Sequence, residues 1–206
     1  ELELENISES GMLGILESQK QEANTQFFKF IKKNYEDFFT AHDKPTFSHT
    51  LFKDYVAPEL SKEQGVLWVI VDNLRYDQYR VLEPIINNHY KKEEEHSYFS
   101  ILPTATQYAR NDIFSGLMPS DMEKLHPNYW LNDTEEGGKN MFEKEFLESQ
   151  LKRLGINMDW SYHKISSLKQ GKRLSDNFRS HKNNDLIAVV YNFVDMLSHS
   201  KTEMEV

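Results

Sequence analysis

The sequence predicts an α/β fold, a mostly parallel sheet flanked by helices and preceded by a small helical bundle. Three observations predict it. GVLWVIVDN holds six consecutive apolar residues, Val66 to Val71, the pattern of a strand buried on both faces. A second such run, LIAVVY, spans 186–191. Between them lie SYFSIL, which reads as a third strand, and a helical stretch from Phe142 to Leu154, so strands alternate with helices as a parallel sheet requires.

In chain order, residues 1 to about 44 read as helical. Phe27, Ile31, Tyr35, Phe38 and Phe39 fall on one helical face with lysines and acids opposite. The segment around Leu13 and Leu16 is expected to pack back on that face as a helical hairpin, serving either as core or as a signal-relaying linker. Asp43, Pro45 and Pro58 then punctuate a connection that ends near Ser61. The expected division is a helical bundle or linker over 1–62 and an α/β domain over 63–206. The N-terminus lacks an initiator Met and the chain stops at KTEMEV without a closing element, so the sequence reads as a piece of a longer protein.

Composition narrows the function classes. Of the 206 residues, 38% are hydrophobic and 13% aromatic, enough for a folded core. No apolar run approaches the ~18 residues of a membrane span, and ELELENISES lacks the zones of a signal peptide. The absence of cysteine excludes disulfides, thiolate metal sites and cysteine nucleophiles, and fits a cytoplasmic location. A net charge of −9 disfavours nonspecific nucleic-acid binding, which needs a basic surface.

Parallel sheets bind ligands at the carboxyl ends of their strands. Asp72 follows the first strand, where it could hold a metal or cap the next helix. Arg75 and Asp77 are expected to pair. Asp195 and His199 follow the last strand four residues apart, on one face of a helical turn, where they could share a divalent ion. In SILPTATQYARNDIFSGLMP, Thr106 needs a base or a metal to become a nucleophile, and the sequence has no GxSxG elbow, so metal activation is what the sequence best permits. Arg110, one turn later, could fork two phosphoryl oxygens; the bland alternative is a helix-capping threonine and a surface arginine. Lys139 and Asn140, after two glycines in EEGGKN, are either substrate contacts or an ordinary turn. His49 reads as structural, and KKEEEH as a solvated loop.

VDNLRYDQ, SILPTATQYARNDIFSGLMP and EEGGKN together resemble the PglZ domain, a branch of the alkaline phosphatase superfamily, in the form found as output domain of response regulators of the type IX secretion system. The resemblance covers nearly the whole chain and implies an alkaline phosphatase-like sheet. It implies that Asp72 is the first metal-binding aspartate, with Asn73 where relatives have the glycine of an Asp-Gly-Phe-Arg run. It implies Thr106 in PTAT as nucleophile and metal ligand, with Ser115 and Gly116 at the relatives' spacing. Arg110 stands where sulfatases carry their arginine, and Asn111 assists it. Asp195 and His199 match an Asp-x-x-Gly-His metal pair, with Ser198 replacing the glycine.

The implied cofactor is two zinc ions, whose remaining ligands, an Asp-His pair and a later His, are expected beyond Val206. The implied activity is phosphodiester hydrolysis through a phospho-threonine intermediate, on linear or cyclic oligonucleotides. The implied partners are a sensor histidine kinase acting through a receiver ahead of residue 1, and a homodimer or a sigma factor downstream, with no membrane. Two rival readings are a non-catalytic signalling output that binds proteins, and a sulfatase or phosphomonoesterase.

Overall fold

Helix α1, Ser10–Thr40, runs 31 residues without a break. The computed structural model describes residues 10–60, 64–131, 138, 140–192 and 194–196. Leu13 and Leu16 belong to α1 itself, so the expected hairpin is replaced by one continuous helix. The reason is local, since ESQKQEAN between Leu16 and Phe27 carries neither Gly nor Pro to turn the chain. Tyr35 and Phe39, one turn apart, meet edge to face at 5.1 Å, while Phe27 and Phe28 remain 55% and 65% exposed.

The chain divides into two compact units between Pro45 and Thr46, ahead of the division near 62 expected from the sequence. Residues 46–60 carry core side chains of the second unit. Phe52 and Val56 lie in a π-helical turn, Phe52–Val56, that continues into α2, Ala57–Leu60. Phe52 is fully buried and its ring lies 5.1 Å from that of Trp68.

The second unit is built on three parallel strands in the order β1-β3-β2: β1 Val66–Val71, β2 Trp160–Ile165 and β3 Leu186–Tyr191. Leu186 pairs with both Val66 and Trp160, and Tyr191 with both Val71 and Ile165, so the three strands end level. Central β3 is buried on both faces, as its unbroken apolar run predicts. β1 departs from that expectation. Trp68 enters the core, whereas Leu67 and Val69, which point to the opposite face, are 43% and 49% exposed.

SYFSIL is not a strand. Phe99 makes a single parallel bridge to Phe47, and the segment enters no sheet, since residue 47 leads at once into a turn and helix. The third strand is instead WSYHKI, whose interleaved polar residues break the apolar run that marks β1 and β3.

Around the sheet lie α3 (Tyr76–Ile86), a π-helical turn (Thr106–Arg110) leading into α4 (Asn111–Ser115), α5 (Pro119–Leu125), α6 (Glu143–Arg153) and α7 (Leu168–Asp176). Phe114, Met122, Phe146, Leu147 and Leu151 join Trp68, Leu186, Ala188 and Val190 in the main core. This packing presents the π-helical turn and the start of α6 to the carboxyl edge of the sheet.

Candidate active site

The level strand ends set the site. The Asp72 amide donates to the Tyr191 carbonyl at 3.1 Å and the Asn192 amide to the Ile165 carbonyl at 2.8 Å, so the residues following β1 and β3 are fixed side by side. Asp72 does not cap α3: that position is Arg75, whose guanidinium pairs with Asp77 at 2.8 Å as the sequence suggested. Asn73 has φ of 59°, the left-handed region open to glycine and, among other residues, best to Asn. That conformation turns the chain away from the sheet and leaves the Asp72 carboxylate at its edge.

Arg110 reaches the same edge from the π-helical turn. It is 8% exposed, so it is no surface arginine. Its Nη1 donates to Asp72 Oδ2 at 2.5 Å and to Asn192 Oδ1 at 2.6 Å, and its Nε donates to Glu143 Oε1 at 2.5 Å. Glu143, 1% exposed in the first turn of α6, accepts on its other oxygen from the Tyr162 hydroxyl at 2.5 Å and lies 3.1 Å from Lys164 Nζ. Lys164 also donates to the Asn140 carbonyl at 3.0 Å. Tyr162 and Lys164 stand two residues apart on β2, so one face of the edge strand supplies both. The network is charge-assisted throughout, which shortens its hydrogen bonds and fixes the guanidinium plane.

The charges do not balance at Asp72. Burial pushes its carboxyl up from the ordinary aspartate range, Arg110 pulls it down, and the negative charges of Asp195 and Glu143 push it up again. Asp195 is therefore close enough to be felt at Asp72, at the sheet edge where the sequence placed both. Burial, reinforced by Glu143, also holds the Tyr162 phenol well above its usual value, so it stays a donor.

Thr106 opens the π-helical turn, with Ala105 as the preceding extended residue, so Thr106 is not the cap. Its side chain is exposed. The turn's wider bond, from the Asn111 amide to the Thr106 carbonyl, sets Thr106 and Arg110 one turn apart. Asn111 is 3% exposed and its side-chain Nδ2 donates to the Gln107 carbonyl at 3.2 Å. Ser115 and Gly116 serve packing: Ser115 is fully buried, and Gly116, at φ of 62°, lies so close to Gln150 that a Cβ would stand 2.2 Å from its Oε1. His199, Ser198 and Lys139 lie outside the described residues.

Sequence reasoning missed Glu143, Tyr162, Lys164 and Asn192. Only Asn192, directly after the buried run of β3, carried the positional signal that singled out Asp72. Among the described residues no three His, Asp or Glu side chains converge as a metal set. The donors that are present still suit a hard or borderline cation. Carboxylates at Asp72 and Asp195 concentrate negative charge at one edge, and carboxylate oxygens are donors such a cation accepts.

Residues 51–206 match the family model described as the BREX system PglZ alkaline phosphatase-like domain. Residues 1–39 match the model described as the PorX response regulator linker domain. No curated protein matches the chain.

Proposed function

The chain belongs to the PglZ family of alkaline phosphatase-like domains, and from that membership we propose that it is the output domain of a response regulator and a zinc-dependent phosphodiesterase. The observation that carries the reading is the arginine network. A buried guanidinium is held at the carboxyl edge of a parallel sheet, one turn from an exposed threonine, which is the pairing that phosphoryl transfer needs.

Thr106 is the proposed nucleophile. Its Oγ attacks phosphorus and forms a phospho-threonine as the leaving alcohol departs on the opposite side, and water then releases the phosphate monoester. Arg110, aided by Asn111, neutralises the negative charge that the nonbridging oxygens carry in the transition state. Asp72, Asp195 and His199, with Thr106, would hold zinc. Zinc, when bound, lowers the hydroxyl pKa and stabilises the leaving oxygen. Glu143, Tyr162 and Lys164 keep Arg110 in place and exclude water behind it. Linear or cyclic oligonucleotides are the proposed substrates.

The match of residues 1–39 to a response regulator linker supports a second function for the same chain, relaying phosphorylation of an upstream receiver by a sensor histidine kinase. We place this relay in the cytoplasm, in the control of type IX secretion, with a homodimer or a sigma factor as downstream partner.

The test is hydrolysis of bis(4-nitrophenyl) phosphate with zinc. Wild type is expected to turn over and Thr106→Ala to lose at least ~100-fold, since nucleophile and activation are lost together. Activity that persists in Thr106→Ala removes the threonine from its role. A wild type without activity favours the protein-binding output, and a preference for sulfate esters or phosphate monoesters across a substrate panel redirects the chemistry.

A further inference from the structure

We propose that Glu143 is the positioning residue of the phosphoryl-binding arginine. It grips Arg110 through Nε so that Nη2 is the donor left over for an anionic oxygen, a role that rests on the anion-binding reading of Arg110.

The geometry separates the guanidinium into used and unused parts. Nε is taken by Glu143 Oε1 at 2.5 Å, and Nη1 by Asp72 and Asn192. Nη2 is buried and has no hydrogen-bond partner among the described residues. An unpaired charged donor in a dry setting costs more than one that is satisfied, so an incoming phosphoryl oxygen gains what the empty position forfeits. Glu143 is suited to fixing the plane because it is itself held from several sides. It is 1% exposed, begins α6, and its second oxygen is held by Tyr162 and Lys164 of β2. Its carboxylate is thus anchored from a different element than the arginine it orients.

A purely electrostatic role predicts the opposite outcome. A carboxylate beside a phosphate site repels the anion, so its neutralisation would tighten phosphate binding. Loss of orientation would weaken it. Glu143→Gln, which keeps the shape and removes the charge, therefore gives effects of opposite sign under the two roles.

The experiment measures orthophosphate affinity by calorimetry on the whole chain, for wild type, Glu143→Gln, Arg110→Ala and the double variant, with near-ultraviolet circular dichroism to confirm folding. Glu143→Gln is expected to weaken binding about tenfold, the scale of one charge-assisted hydrogen bond. Arg110→Ala is expected to weaken it at least as much, and the double variant to bind no worse than Arg110→Ala, because Glu143 acts through the arginine. Should Glu143→Gln fail to fold, Glu143→Asp, shorter by one methylene, is expected to show the same loss. Unchanged or tighter binding in the Glu143 variants, a loss that persists without Arg110, or a wild type that binds no phosphate overturns the proposal. Because binding is read rather than turnover, a wild type that binds phosphate through Arg110 yet hydrolyses no diester overturns the hydrolase reading alone.

Discussion

Arg110 Nη1 lies 2.5 Å from Asp72 Oδ2, so a side chain from the π-helical turn is tied to the end of β1, 38 residues away in sequence. With Asn192 on the same nitrogen and Glu143 on Nε, one guanidinium joins the ends of two strands and the start of α6. Arg110→Ala leaves Glu143 buried without this partner. Removing one member of a buried pair typically costs about 3–5 kcal/mol, and Arg110→Lys should recover only part, since one ammonium cannot reproduce the fork. Urea unfolding checks this, and a loss below ~1 kcal/mol would show the network to be energetically slack.

Asp112 predicts a pH dependence. It is fully buried, its Oδ2 accepts from Ser48 Oγ at 2.6 Å, and burial pushes its carboxyl up to about 8. Between the ordinary aspartate value and about 8, the folded chain keeps the proton while the unfolded chain has lost it. Unfolding then releases a proton, so stability contributed by this group is fully present at low pH and falls as pH rises through that window, at up to ~1.4 kcal/mol per pH unit. Asp112→Asn has no such proton. Its stability relative to wild type is expected to increase steadily from pH 5 to pH 8 in urea titrations; parallel profiles for the two proteins would place the proton elsewhere.

Much of this was legible in the sequence because burial writes itself as unbroken apolar runs. β3 is the case in point, and its end, like that of β1, marked where to look for polar groups. β2 was not legible because an edge strand with a polar face alternates Trp, Ser, Tyr, His, Lys and Ile, a pattern that competes poorly with continuous apolar runs. SYFSIL has the composition of a strand, but a strand needs a partner and Phe99 finds only one bridge. Thr106, Arg110 and Asp72 were visible through their spacing and family likeness. Glu143 was invisible, as nothing local separates it from Glu145 or Glu148 in a charged helix. Only the fold turns it inward toward Arg110.

Gly116 and Gly155 make a matched pair. Both have positive φ, 62° and 69°, but a Cβ at Gly116 would meet Gln150 Oε1 at 2.2 Å, whereas nothing lies within 4 Å at Gly155. Gln150 also donates to the carbonyls of Ile113 and Phe114, which precede the end of α4. Gly155→Ala should therefore cost only the left-handed strain, about 1–2 kcal/mol, and Gly116→Ala that strain plus displacement of a buried amide, about 1–3 kcal/mol more. Thermal unfolding of the two variants side by side measures the difference, and equal losses would mean that Gln150 yields without cost.

Asp72 predicts a metal-linked stability that is independent of turnover. Burial and the charges of Asp195 and Glu143 all disfavour its ionised form, and Arg110 alone among its principal influences opposes them with positive charge. A divalent cation at this edge relieves the same repulsion, so it binds the folded chain in preference to the unfolded one. Zinc at ~100 times its dissociation constant is expected to add about 2.7 kcal/mol to wild type, read as a rise in unfolding midpoint that chelation reverses. Asp72→Asn keeps the side-chain volume and removes the charged ligand, and is expected to abolish most of that rise while Arg110 retains Asn192 and Glu143. A zinc-dependent rise of equal size in Asp72→Asn would mean that the cation is held by other donors, and that the carboxylate at the end of β1 serves Arg110 alone.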